Sequence, residues 1–103
     1  MYRVVYHKAV AIDIAEALTY YNDISPRLFN RFEEELFNKI QDIQQHPLHY
    51  GFLNTKGKKY YRRAILKTFP YKIVYSVIDY DIIIFSIMHG RKSPGHLNQR
   101  FHA

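Results

Sequence analysis

The sequence of 103 residues contains no cysteine. Without a thiol the chain cannot form a disulfide, a zinc site built on thiolates or a cysteine nucleophile. This composition suits a reducing compartment, and we expect the protein to act in the cytoplasm. The six histidines include no pair at the HxxxH or HxH spacing that is typical of metal ligands. We therefore expect neither a metal nor another cofactor.

A long hydrophobic run is also lacking. The first residues, MYRVVYHKAV, have no long apolar core of the kind that a signal peptide needs. The apolar run at residues 82–88 is far shorter than the ~20 residues of a membrane-spanning helix. The sequence shows no internal repeat, low-complexity tract or linker. We expect one soluble domain, residues 1–103, that does not associate with a membrane.

Acidic residues are scarce in the C-terminal half of the chain. Residues 56–103 carry ten lysines and arginines against two aspartates, whereas residues 1–55 carry five basic and seven acidic side chains. The formal charges of the two parts are therefore +8 and −2. A basic surface attracts nucleic acid, a ribosomal surface or an acidic protein, and the charge does not distinguish among them. A merely solvated basic surface is the alternative interpretation.

The spacing of apolar residues predicts one strand followed by two helices. Residues 2–7 alternate with a period of two, as a short strand does. Between residues 9 and 22 the apolar positions recur every three or four residues, which indicates an amphipathic helix. Ser25-Pro26 is typical of an N-cap followed by the first helical residue. We expect a second helix from Pro26 that ends before His46-Pro47. The predicted buried stripes are Val10, Ile14, Ala17, Leu18 and Tyr21 in the first helix, and Phe29, Phe32, Leu36, Ile40 and Ile43 in the second.

The remainder of the chain predicts a loop and three strands. Residues 48–59 contain glycine and lysine but lack the GxxxxGK[ST] spacing of a phosphate-binding loop, so we interpret them as a connector. Residues 60–66, 71–78 and 82–89 are rich in tyrosine and β-branched residues, with Asp79-Tyr80-Asp81 as a turn. The predicted fold class is α+β, in the order strand–helix–helix–strand–strand–strand. A helical hairpin packs on one face of a mostly antiparallel sheet, and the other face stays partly open.

Alternation along the strands predicts which side chains meet the helices. Tyr71 and Tyr75 share one face, whereas Lys72 points to the opposite, open face. His89 and Arg91 follow at the end of the last strand. The face that receives the helices is predicted to consist of Ile73, Tyr75, Val77, Ile83, Phe85 and Ile87.

Several segments together resemble the RelE/ParE superfamily of bacterial toxins. These are DIAEALTYYNDIS and FEEELFNKIQDIQQHP in the helices, and YRRAILKTFPYKIVYSV and IIIFSIMHGRKSPGHLNQR in the strands. Basic residues on the second strand, then FPYKIVY, then an I-x-H-G-R ending occur in the order that the superfamily shows. The resemblance covers nearly the whole chain. It implies the toxin of a type II toxin–antitoxin (plasmid stabilisation) pair, neutralised by an antitoxin that an adjacent gene usually encodes.

The two branches of this superfamily differ in target. RelE-like members cut messenger RNA in the ribosomal A site, which requires a base, a phosphate-binding cation and an acid. Lys72, Arg91 and His89 are the candidates for those catalytic roles if the chain is RelE-like. The tyrosine that RelE-type enzymes carry near the C-terminus is absent from SPGHLNQRFHA, however. FPYKIVY, HGRKSP and NQR are more similar to the ParE-like branch, which poisons DNA gyrase, although Leu97 stands where many of those relatives have tryptophan.

Basic residues of the C-terminal half are the candidates for binding a target or an antitoxin. Arg91 is the strongest of them, because an arginine in a loop readily makes bidentate contacts with phosphate or carboxylate. We expect DNA gyrase as the target, with ribosome-bound messenger RNA or a non-toxic basic binding module as alternatives. The predicted target- or antitoxin-binding residues are Arg62, Arg63, Lys72, His89, Arg91, Lys92 and Arg100.

Overall fold

The computed structural model describes residues 1–53 and 60–90. Within them the predicted order of elements is confirmed, and the predicted ends differ by one or two residues. The elements are β1 (Arg3–Tyr6), α1 (Val10–Ile24), α2 (Pro26–Gln45), β2 (Arg62–Ile65), β3 (Tyr71–Ile78) and β4 (Asp81–His89). No helix within the described ranges is long and apolar enough to cross a membrane.

The four strands form one mixed sheet in the order β1-β4-β3-β2. The pairs β2–β3 and β3–β4 are antiparallel, and β1 lies parallel to β4, with Val4 opposite Ile82. A parallel pair needs a long crossover connection, and the helices α1 and α2 lie on the chain between β1 and the rest of the sheet. The α+β prediction, with a helical hairpin on a mostly antiparallel sheet, is confirmed.

The boundary between the two helices is a single residue, Ser25. Its extended backbone ends α1, and its Oγ accepts a hydrogen bond from the backbone N–H of Leu28 at 3.2 Å. Pro26 follows at the start of α2. Backbone N–H groups at this position have no intrahelical acceptor, so the lack of an N–H in proline breaks no hydrogen bond of the helix. The chain leaves α2 at His46, directly before Pro47. Both ends were therefore predictable from local sequence.

The main core lies between the helices and one face of the sheet. Its centre is a group of aromatic rings, in which Phe32 of α2 contacts Tyr21, Phe69 and Tyr71 with ring centroids 5.2, 5.2 and 5.4 Å apart. Phe32 has no exposed surface. The predicted stripes are largely confirmed, since the buried helical residues are Val10, Ala17, Tyr21, Phe32, Leu36, Ile40 and Ile43.

A β-bulge changes the side-chain alternation of β4. The two-residue turn Asp79-Tyr80, with Asp79 at a φ of 53°, sets Tyr75 opposite Ile84. Val74 lies opposite Ser86, so Phe85 is an extra residue in the ladder. Even-numbered residues of β4 therefore face the helices before the bulge, and odd-numbered residues face them after it.

The bulge corrects part of the predicted sheet face. Ile83 and Phe85 were predicted to meet the helices, and this was wrong, because the hairpin register turns both to the opposite face. Ile73, Tyr75 and Ile87 do belong to the main core, as predicted, and Val77 packs against it. The opposite face has a small apolar cluster of its own, formed by Leu53, Tyr61, Val74, Phe85 and Met88 with Ile83 beside it. We call this side of the sheet the second face.

Two phenylalanines on the same helix provide a test of the core. Phe32→Ala should lower the free energy of unfolding by about 3–5 kcal/mol, because it removes a buried ring and leaves a cavity. Phe37→Ala is the matched control, since Phe37 is 58% exposed, and it should change stability by less than about 0.5 kcal/mol. Urea unfolding followed by circular dichroism measures both. Equal losses would contradict the packing described here.

Candidate functional site

The seven basic residues predicted from the sequence fall into two groups. Arg62 and Arg63 lie on β2, Lys72 on β3 and His89 at the end of β4. Arg91, Lys92 and Arg100 lie outside the described residues, as does Leu97. The described part of the candidate site therefore lies on the antiparallel strands β2, β3 and β4 and on the loop that precedes β2.

Arg62 holds the loop between α2 and β2. Its Nη1 donates to the backbone oxygens of Tyr50 at 2.7 Å and Leu48 at 3.4 Å. Its guanidinium also lies 4.1 Å from the centroid of the Phe52 ring, within cation–π range. Arg63 donates from Nη1 to the backbone oxygen of Phe52. Both arginines are thus engaged within the chain, and we call residues 46–53 the anchored loop.

Two tyrosines fix the other side of the anchored loop. The hydroxyl of buried Tyr75 donates to the backbone oxygen of Pro47 at 2.6 Å, and the hydroxyl of Tyr50 donates to the carboxylate of Asp42. Burial raises the pKa of Tyr75 to about 12. The pKa of Tyr50 is also raised, first by burial and then by its hydrogen bond to Asp42. Both phenols therefore stay protonated as donors at neutral pH.

Residues 51–53 continue the sheet beyond β2. Phe52 pairs with Arg62 in an isolated antiparallel bridge, the N–H of Leu53 donates to the oxygen of Tyr61 at 2.7 Å, and that of Arg63 donates to the oxygen of Gly51 at 3.0 Å. The predicted connector is thus partly strand-like, and Leu53 adds to the apolar cluster of the second face. Residues 54–59 of the connector lie outside the described ranges.

Lys72 and His89 project from opposite faces of the hairpin. Lys72 is paired with Met88, whose side chain belongs to the second face, which confirms the predicted direction of Lys72. His89 is paired with Tyr71 on the side that the helices cover, and their rings meet edge to face with centroids 5.3 Å apart. The structure therefore does not bring these two candidates for RNA cleavage together.

Asp13 of α1 contacts the last part of β4, and the sequence analysis did not identify it as a candidate. One of its carboxylate oxygens accepts the backbone N–H of Ile87 at 3.0 Å and lies 3.5 Å from the hydroxyl of Ser86. The sequence pattern did not indicate this role, because Asp13 occupies a position between the apolar residues of α1, where a polar residue is expected in an amphipathic helix. It connects α1 to β4 just past the bulge at Phe85. Among the described residues, no group of three or more histidine, cysteine or acidic side chains is arranged to hold a metal ion.

The contacts of Arg62 lead to a prediction about stability. Arg62→Lys keeps the positive charge but cannot reproduce a guanidinium that donates to two carbonyls and lies over an aromatic ring. It should lower the free energy of unfolding by about 1–3 kcal/mol. Arg27→Lys, at an exposed position in the first turn of α2, is the matched control and should have no measurable effect. Unchanged chemical-denaturation curves for both variants would count against a structural role for Arg62.

A family model and a similar protein indicate the same family. A family model described as "ParE toxin of type II toxin-antitoxin system, parDE" matches residues 2–94. Toxin ParE2 of Mycobacterium tuberculosis is 33% identical over 92 residues, which covers 85% of this chain and 81% of that protein. Two solved structures share the fold. One is the chromosomal ParDE toxin–antitoxin system from P. aeruginosa, with a TM-score of 0.74, 17% identity and coverage of 86% of this chain and 96% of that one.

The second solved structure is the isolated RelE toxin of E. coli. Its TM-score is 0.52 at 13% identity, with coverage of 99% of this chain and 98% of the RelE chain. At such low identities the two solved structures support the fold alone, whereas the family match and the mycobacterial relative extend to the sequence. Together with the confirmed order of strands and helices, they place this chain in the ParE toxin family of type II toxin–antitoxin systems.

Proposed function

We propose that this protein is a toxin that stops growth by poisoning DNA gyrase and that a cognate antitoxin, encoded by an adjacent gene, neutralises it. The observation that carries the proposal is the match to ParE toxins over residues 2–94. This range includes both helices, the whole described sheet and the first residues after β4. The missing C-terminal tyrosine of RelE-type enzymes supports the same branch.

The geometry of the hairpin also favours a binding function over RNA cleavage. A metal-free ribonuclease needs a base, an acid and a cation gathered around one phosphate. Lys72 and His89 diverge from opposite faces of the sheet, and Arg62 and Arg63 donate to backbone oxygens of the anchored loop. A protein target requires no such convergence, because basic side chains can contact it at separate points.

The second face has the features that an acidic, amphipathic antitoxin segment would recognise. Around its small apolar cluster, Val5 is 37%, Ile65 59% and Ile78 53% exposed. Arg63 and Lys72 lie on the same face, opposite Val74 and Met88 in the ladder. A segment that combines apolar and acidic residues would cover the exposed side chains and pair with Lys72 and with the charge of Arg63, whose Nη1 also donates to Phe52. The interface would offset the entropy lost when such a segment becomes ordered.

A supercoiling assay provides the direct test of the gyrase proposal. Purified toxin should stop gyrase from the host species from supercoiling relaxed plasmid and should make linear, cleaved DNA accumulate. Arg91→Ala should raise the toxin concentration needed by about tenfold, because a charge-assisted contact contributes roughly 1.5 kcal/mol or more. Arg27→Ala, which removes the same charge from α2, should inhibit like the unaltered protein.

An assay with translating ribosomes tests the RelE-like alternative. Cutting of messenger RNA in the ribosomal A site by the same preparation, with normal gyrase activity, would establish the RelE-like alternative instead. Normal growth after induction, with neither effect, would indicate a binding module without toxicity. In cells, gyrase poisoning should appear as filamentation with a DNA-damage response.

Antitoxin neutralisation is testable by co-expression. Production of the toxin together with the small reading frame next to its gene should restore growth and raise the yield of soluble toxin. Lys72→Glu should weaken this rescue, because it places an acidic side chain where we expect an acidic segment to bind. Toxicity that persists alongside every neighbouring reading frame would contradict the proposal.

A further inference from the structure

The first strand, β1, forms one edge of the sheet, because the strand order is β1-β4-β3-β2. At the opposite edge, residues 51–53 already pair with β2 through the bridge between Phe52 and Arg62. β1 pairs with β4 on one side, and no strand of the described residues pairs with its other side. We call this side the outer edge of β1.

The direction of the backbone along β1 determines which groups the outer edge offers. The N–H groups of Arg3 and His7 donate towards β4, at 2.8 and 2.9 Å. Backbone groups alternate in direction along a strand, so those of Tyr2, Val4 and Tyr6 point away from β4. The outer edge therefore presents the donors and acceptors of these three residues.

One of these backbone groups already has a partner. The oxygen of Tyr2 accepts a hydrogen bond at 3.0 Å from Nε2 of Gln44, at the end of α2. In the part of the chain that the structure describes, the outward backbone groups of Val4 and Tyr6 have no such partner. Unpaired groups of this kind are a template on which a further strand can add.

The side chains of β1 do not protect this edge. Isolated edge strands commonly carry proline, a bulge or a free charge that discourages pairing, whereas β1 reads RVVY. Val5 is 37% and Tyr6 is 49% exposed. The guanidinium of Arg3 donates to both carboxylate oxygens of Asp81, at 3.0 and 3.1 Å. The charge of Arg3 is thus compensated within the chain and does not repel a second β1.

Two β1 strands can pair with each other in one antiparallel register that uses the free groups. With Val5 opposite Val5 of a second copy, Val4 of each strand lies opposite Tyr6 of the other, and these two residues exchange hydrogen bonds. A register centred on Val4 would instead need the oxygen of Tyr2, which Gln44 occupies. Pairing around Val5 therefore breaks no hydrogen bond within the chain.

We infer that the outer edge of β1 binds a second copy of this chain and joins the two sheets antiparallel at Val5. The pairing covers Val5 and Tyr6 and satisfies the outward backbone groups of β1. An acidic segment of another protein fits this edge less well, because Arg3 is already paired with Asp81 and offers it no free charge. This inference does not depend on gyrase being the target.

The absence of cysteine from the sequence makes a crosslinking test possible. In the proposed register the two Val5 residues form a non-hydrogen-bonded pair, whose Cα atoms lie about 4.5 Å apart. A disulfide spans about 4.4–6.8 Å between Cα atoms, so oxidised Val5→Cys protein should run as a covalent dimer on a non-reducing gel. Ile65→Cys, at an exposed position of β2, should remain a single chain. Equal crosslinking of both variants, or none at Val5, would overturn the inference.

A charge exchange at Val5 tests the same contact without a covalent bond. Sedimentation equilibrium of the full-length chain at micromolar concentration should give twice its mass of 12.4 kDa. Val5→Glu and Val5→Lys should each weaken self-association by about tenfold or more, because like charges then face each other across the pair. An equal mixture of the two variants should recover the double mass, because opposite charges then face each other.

The control for this exchange is Ile65→Glu, which places a charge at an exposed apolar position of β2 and should leave the double mass unchanged. Circular dichroism shows whether each variant is folded. Two results would contradict the proposed pairing. One is the mass of a single chain for the unaltered protein at every concentration, and the other is a mixture of the Val5 variants that stays dissociated.

Discussion

The antiparallel pairing of β3 with β4 determines what every other element can contact. These are the two central strands, and each carries side chains that are buried on both faces of the sheet. The turn at Asp79-Tyr80 and the extra residue Phe85 together decide which side chains meet the helices. If the pairing moved by one residue, Ile82 and Ile84 would leave the main core and Ile83 would enter it. The aromatic cluster around Phe32 and the apolar cluster of the second face both depend on this register.

The same constraint separates the candidate functional residues. Neighbouring residues of a strand point to opposite faces, and cross-strand partners point to the same face. Lys72 therefore lies on the second face with its partner Met88, and His89 lies on the helical side with its partner Tyr71. A catalytic site assembled from both would need a different register. The sheet instead presents its cations at separate places, two of them already engaged with the anchored loop. The proposed binding function rests on this arrangement.

Much of the fold was predictable because its signals are local. Ser25-Pro26 and His46-Pro47 set the ends of α2 by their own backbone preferences, and the stripe through Phe32 and Leu36 followed from helical periodicity. The register of β4 was not predictable in the same way. Its run IIIFSIM is apolar at nearly every position, so no alternation of polar and apolar residues marks the bulge at Phe85. The prediction for Ile83 and Phe85 failed for that reason.

The roles of the arginines were harder still to read from the sequence. Arg62 is basic and begins a strand, which is equally typical of a binding residue and of a structural one. Its acceptors, the oxygens of Leu48 and Tyr50, lie 14 and 12 residues away, and only the folded loop brings them within reach. Tyr75 was correctly assigned to the core, but its bond to Pro47 spans 28 residues. Such contacts depend on tertiary structure, which local patterns do not encode.

The carboxylate of Asp13 bears on whether another chain could pair with the edge of β4. β1 pairs with β4 only as far as Ile84, so β4 runs on beyond the end of its neighbour. The backbone groups along the edge of a strand can serve as a template on which another chain adds a strand of its own. The N–H of Ile87 at that edge donates to the carboxylate of Asp13. An incoming strand would have to displace this carboxylate to accept the same hydrogen bond. A helix residue thereby takes up a backbone group that intermolecular strand pairing would use.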